Sequence, residues 1–119
     1  MRVGIDLVKV AVVAEAVGEH GQRYLDRVYT TQEQVDCGAE PLKLAARFAA
    51  KEAVMKVLEV GRDEALPWTD IEVIRQTSGA PTLALHGEAA KLAETRGIAQ
   101  LALSFTHEDE YAAAVVVGT

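Results

Sequence analysis

Arg47-Phe48-Ala49-Ala50-Lys51-Glu52-Ala53-Val54-Met55-Lys56 is the stretch on which the reading of this chain turns. It is an alanine-rich helix that carries a carboxylate and an ammonium where a solvated helix would not put them. At about 100° per residue, Ala45, Ala49, Ala53 and Val57 make one apolar stripe, with Glu52 at its edge and Lys56 among its alanines. Residues four apart are stacked neighbours, so Glu52 and Lys56 face each other. Charges on a face of small residues are costly unless compensated, and a metal ion and a phosphate group would compensate both. The competing reading is an ordinary exposed Glu–Lys pair, and this helix taken alone favours it.

Working outward, the chain of 119 residues reads as one domain, 1–119, with room for a real core. Only 5% of it is aromatic, so that core must rest on Ala, Val and Leu. The formal net charge of -6 argues against nonspecific nucleic-acid binding, which needs a basic surface. It also argues weakly against an acidic protein partner unless bases cluster locally. One cysteine, Cys37, excludes an internal disulfide; it sits beside Gly38 in an expected loop and reads as incidental. No apolar run approaches the length of a membrane span, and the N-terminus lacks a signal-peptide pattern. The expectation is a soluble cytoplasmic protein that binds neither nucleic acid nor membrane.

Arg2 to Val8 alternates as a strand, with Val3, Ile5 and Leu7 on one face and Gly4, Asp6 and Val8 on the other. Val10 to Val17 predicts a brief helix closed by Gly18, and Gln22 to Val28 a further helical turn or two. Thr30 to Glu40 reads as a loop holding a helical turn at Thr31 to Val35. Pro41 suits the first turn of the long helix and Gly61 its end. Arg62 to Thr69 is a connection. Asp70 to Gln76 and Thr82 to His86 make a hairpin around the turn Ser78-Gly79-Ala80-Pro81. Gly87 to Arg96 is a helix ended by Gly97. Gln100 to His107 alternates, with Leu101, Leu103, Phe105 and His107 on one face. Tyr111 to Val117 is a nearly all-apolar final strand, expected to be central and buried. Strands bracketing a block of helices imply α+β, with a mostly antiparallel sheet packed on the long helix.

Three places carry chemistry: Asp6 in an apolar strand, Glu52 with Lys56 on the helix, and Ser104, Thr106 and His107 at a strand end. Two carboxylates from different elements, with ordered water, suit a hard ion such as magnesium, which takes its remaining ligands from phosphate oxygens. Arg47, Lys51 and Lys56 could balance further phosphate charge. One cysteine and three scattered histidines do not make a zinc site. Glycine-rich phosphate loops and a serine nucleophile elbow are both missing from the sequence.

Gly4-Ile5-Asp6-Leu7-Val8, the Arg47–Lys56 stretch, and Ser104-Phe105-Thr106-His107 with Tyr111-Ala112-Ala113-Ala114-Val115 resemble, in order, three signature blocks of the holo-[acyl-carrier-protein] synthases. These are the short single-domain group of the 4′-phosphopantetheinyl transferases. Asp70-Ile71-Glu72-Val73, Gly79-Ala80-Pro81 and the Gly87 to Gly97 helix are similar to the connecting blocks, and Tyr29-Thr30-Thr31-Gln32-Glu33 to a weaker one. The resemblance implies transfer of the phosphopantetheine arm of coenzyme A to a serine of an apo acyl carrier protein, releasing adenosine 3′,5′-bisphosphate. It implies that Asp6 and Glu52 hold magnesium on the pyrophosphate, with Glu52, Lys56 and Asp6 catalytic. It implies that Arg47, Lys51, Lys56, His107 and Thr106 bind the cofactor. Glu52, or a metal-bound water that it orients, would accept the serine proton; the residues leave both open. It also implies a homotrimer whose active sites are shared between protomers, so that Asp6 and His107 face Glu52 of the next chain.

Two positions depart from the family pattern. An arginine is usual six residues after the first-block aspartate, on the helix that receives the acidic carrier; here that residue is Val12, with Lys9 the only nearby base. The expected dock is more hydrophobic and the carrier a dedicated one, for example from polyketide metabolism, unless Arg23 or Arg27 takes over. A glycine-rich turn is usual after the helix lysine; Glu59-Val60-Gly61-Arg62 predicts instead a helix one turn longer and a negative charge near the ligand, hence slower turnover or weaker coenzyme A binding. The alternative function is a catalytically weak or inactive homologue that only binds a carrier.

Overall fold

The alternating N-terminal strand and the apolar C-terminal strand find each other as antiparallel partners, and the long helix lies across them. The computed structural model describes residues 1–61 and 64–119. In chain order the elements are β1 (Arg2–Lys9), α1 (Val10–His20), α2 (Gln22–Val28), α3 (Thr31–Cys37), α4 (Pro41–Val57), β2 (Ile71–Arg75), β3 (Pro81–Leu85), α5 (Gly87–Thr95), β4 (Leu101–His107) and β5 (Tyr111–Gly118), with a 3-10 turn at Trp68–Asp70. One sheet runs β1-β5-β4 and a second pairs β2 with β3, every pairing antiparallel. The α+β expectation holds. Among the described residues no helix is long and apolar enough to cross a membrane.

β5 is central, as its composition implies, but only one of its faces is buried. Ala112, Ala114 and Val116 turn into the core, while Val115 and Val117 alternate onto the opposite, half-open face. α4 covers the buried face. It is buried nearly all round, with Leu44, Ala45, Ala46, Ala49, Ala50, Ala53, Val54 and Val57 in the core. Alanine on both flanks lets strand and helix close up. At Gly4 a Cβ would fall 2.2 Å from the Ala53 carbonyl oxygen, so only glycine permits this approach.

Four local expectations are corrected. α1 runs through Gly18 to His20, and the turn comes at Gly21, whose φ of 55° suits glycine. The expected loop after Thr30 is a seven-residue helix, α3, because Thr30 and Glu33 close a reciprocal capping box. Cys37 therefore ends a helix and is buried. α4 stops at Val57 rather than running past Glu59, since Glu59 adopts φ 53° and turns the chain. Within the expected 62–69 connection, Arg62 and Asp63 lie outside the described residues.

Candidate active site

The inner face of β1 carries Gly4, Asp6 and Val8 against α4. Because Gly4 sits on Ala53, Asp6 is delivered to the last turns of the helix. Lys56 Nζ donates to the Ile5 carbonyl at 2.7 Å and to Asp6 Oδ1 at 3.3 Å. Asp6 is 18% exposed and Lys56 54%, so the acid is the sheltered partner. Glu52 lies one turn earlier on the same helix. Partial burial pushes its carboxyl above the usual carboxylate range, the Asp6 charge adds to this, and Lys56 opposes it. Two acids thus face one lysine, leaving an excess negative charge on oxygen donors. Among the described residues no cluster of three or more His, Cys, Asp or Glu could hold a metal. A pair of carboxylates fits a hard cation that keeps water and phosphate oxygens as its other ligands.

This geometry corrects one expectation. Asp6 does not need a neighbouring chain to meet Glu52: both stand on one chain, because β1 packs directly on α4.

Arg47 and His107 meet on the other side of α4. Asp6 is opposite Ala114 on β5, and Ala114 is opposite Phe105 on β4, so these three share one row of the inner face. The Arg47 guanidinium lies 5.8 Å from the centre of the Phe105 ring, a cation–π distance. Arg47 is 7% exposed; Nη1 donates to the Lys43 carbonyl at 3.3 Å, and Nε has no partner among the described residues. It lines a cleft of about 250 Å³ together with Lys43, Arg75, Phe105, His107 and Asp36. Lys43, Arg75 and His107 around the buried Arg47 guanidinium, against the single acid Asp36, leave an excess of positive charge that suits an anion. Lys43 and Arg75 were not singled out by sequence. Arg75 arrives only because the β2–β3 hairpin folds over α4, and no local pattern encodes that docking.

Lys51 is withdrawn from the cofactor-binding set. It is fully buried; its ammonium donates to Glu33 Oε1 at 2.8 Å, to the Trp68 carbonyl at 3.1 Å and to the Ile71 carbonyl at 2.5 Å. All three protons are used. Glu33, also fully buried, accepts in addition from the Thr30 and Val73 amides. Desolvation pulls the Lys51 ammonium below its usual range, and Glu33 pulls it back. Sequence reasoning missed Glu33; the Thr30-x-x-Glu33 capping box signals the start of a helix there but not the burial of its acid.

Thr106 lies apart from Arg47. It shares the opposite sheet face with Leu7 and Ala113 in one row, and Ser104 with Ile5 and Val115 in the next. That face is open and apolar: Val3, Ile5 and Leu7 are 67%, 66% and 65% exposed. A groove of about 430 Å³ runs along its end past Leu7, Thr106, His107 and Tyr111.

Comparison with known proteins defines the class. The sequence profile described as the 4′-phosphopantetheinyl transferase superfamily matches residues 2–116. Holo-[acyl-carrier-protein] synthases from Koribacter versatilis and Chloroflexus aurantiacus are 40% and 45% identical, each over 96% of this chain and 94% of their own. The Helicobacter pylori holo-[acyl-carrier-protein] synthase, solved in complex with coenzyme A, superposes with a TM-score of 0.88 at 31% identity, covering 98% of this chain and 99% of that one. The chain belongs to the 4′-phosphopantetheinyl transferase superfamily, in its holo-[acyl-carrier-protein] synthase family.

Proposed function

We propose that the chain transfers the 4′-phosphopantetheine arm of coenzyme A to a serine hydroxyl of an apo acyl carrier protein, giving holo carrier and adenosine 3′,5′-bisphosphate. The observation that carries this reading is the Asp6–Lys56–Glu52 cluster, in a chain that matches the family over residues 2–116. Asp6 and Glu52 would hold magnesium, which when bound supplies neutralisation of the pyrophosphate charge. Lys56 contacts the phosphoryl group under attack. The serine oxygen bonds to the phosphorus of the arm, and the bond to the bisphosphate breaks. The serine proton passes to Glu52 or to a water that it orients. Arg47, His107, Lys43 and Arg75 supply positive charge for the nucleotide's phosphates.

The two subsites lie toward opposite edges of the β1-β5-β4 sheet, about 10 Å apart by strand spacing, with α4 packed between them. A homotrimer that sets the β1 edge of one copy beside the β4 edge of the next would unite them and cover Val3, Ile5 and Leu7. Thr106 would then reach the ligand across the boundary. For the carrier, Val12 is 58% exposed on α1, and His20, Arg23 and Arg27 line a groove where α1 gives way to α2. This combination suits a partner that pairs apolar with acidic residues, such as a dedicated polyketide carrier. Val12 and Glu59 also motivate a second reading, a carrier-binding subunit without transfer.

The deciding experiment incubates the protein with coenzyme A, magnesium and a panel of apo carriers, and weighs the carriers by mass spectrometry. Gain of the phosphopantetheine mass with release of adenosine 3′,5′-bisphosphate is expected. Carriers that bind yet gain no mass would establish the second reading instead.

A further inference from the structure

The turn that follows α4 is held from the far end of α5. Glu59 N–H donates to Lys56 O at 3.2 Å and Val60 N–H to Met55 O at 3.1 Å, and between them Glu59 takes φ 53°. Glycine usually fills this left-handed position after a helix, and a side chain there is strained. Arg96 reaches across to it. Its Nε donates to Leu58 O at 3.1 Å, and its Nη2 donates to Glu59 O at 3.4 Å and to Glu64 Oε1 at 2.9 Å. The same Glu64 oxygen accepts the Gly61 amide at 2.9 Å. From the other side, the Arg2 guanidinium comes within 3.6 Å of the Glu59 carboxylate. Carbonyls at a helix C-terminus lack partners and carry partial negative charge, so a guanidinium satisfies both needs at once.

We propose that Arg96 is a positioning residue for the Lys56 ammonium: by fastening the strained Leu58–Glu59 turn to the end of α5, it keeps the last turn of α4 wound and Lys56 directed at Ile5 O and Asp6. Lys56 is well placed to feel this. Its carbonyl closes the turn and its side chain is half in solvent, so a frayed turn releases the ammonium. Three acceptors at one planar fork require arginine; a lysine reaches fewer of them. The functional meaning of this clamp rests on the transfer reading above, but its geometry does not.

The test reads lysine reactivity directly. The folded full-length protein is treated briefly with acetic anhydride, and the labelling of Lys56 is measured against Lys9, exposed at the far end of β1. In Arg96→Met the ratio is expected to rise about threefold, and kcat for transfer to fall about tenfold with little change in the KM for coenzyme A. Arg96→Lys should fall between wild type and Arg96→Met on both scales, and it serves alone if Arg96→Met does not fold. An unchanged Lys56-to-Lys9 ratio in the folded variants overturns the proposal. Absence of transfer by the wild-type protein would overturn the reading of the cluster instead, and the labelling ratio would still decide the role of Arg96.

Discussion

Lys51 and Lys56 stand five residues apart on α4, and the surroundings of the two differ completely. Lys51 is sealed between α3, β2 and the Trp68 turn, with every proton committed to an oxygen of the chain. Lys56 is 54% exposed and shares a small acidic cluster with Asp6 of β1, which comes closest to the helix at Gly4. Buried ammonium groups must be paired, and a removed partner leaves a charge that water cannot reach. Exposed ones cost little to keep or lose. Lys51 therefore commits its charge to the fold, whereas Lys56 keeps its charge within reach of a ligand.

The contrast is open to experiment. The largest effect belongs to Glu52→Gln, which should lower transfer about a thousandfold by removing a ligand-facing charge while the urea midpoint holds or rises. Activity and denaturation curves on one preparation check both halves. Next, Lys51→Met should cost about 3–5 kcal/mol by stranding the Glu33 carboxylate. Lys56→Met should stay within about 1 kcal/mol of wild type in the same denaturant titration, yet lose transfer. If Lys51→Met is as stable as wild type, the two lysines do not differ as described.

The shared-site proposal predicts complementation. Arg47→Ala and Glu52→Gln chains, each inactive alone, should regain about a quarter of wild-type sites when unfolded and refolded together at equal amounts. Mixtures that stay inactive would place each complete site within one chain. Ile5→Asp, on the open sheet face, should leave a smaller species by sedimentation.

A pH series separates Glu52 from its surroundings. Its carboxyl sits above the ordinary value near 4.5 in the folded state. The stability it lends is therefore fully present below that value and is lost as pH rises through the raised one. Urea midpoints of wild type should fall relative to Glu52→Gln across that window, and added magnesium should restore wild type alone. The smallest change is expected from Val12→Arg, a few-fold shift toward acidic fatty-acid carriers in a competition assay.

Asp6, Glu52 and Lys56 were legible in the sequence because each breaks an otherwise apolar pattern, and strand and helix periodicity say which face it shares. The order of strands and helices was legible for the same reason. Lys51 was not, since its partner Glu33 lies eighteen residues upstream in a segment that composition alone marks as loop; ion pairs between elements leave no periodic trace. The end of α4 was misread because Glu59 is an ordinary helix former, and its left-handed turn is held by backbone bonds to Lys56 and Met55 together with Arg96 and Arg2, which no local pattern announces. Thr106 and His107 were rightly placed on one strand, but adjacent residues point to opposite faces, so only His107, at the strand end, reaches the cationic cleft as well as the open-face groove.

Where Gly4 crosses Ala53, the spacing of the two acids is measured out in main chain. Exposed side chains exchange rotamers within picoseconds to nanoseconds, whereas a strand paired along its length and pressed to a helix backbone has no such freedom. Warming the molecule should thus blur the lysine long before it widens the gap that the carboxylates span.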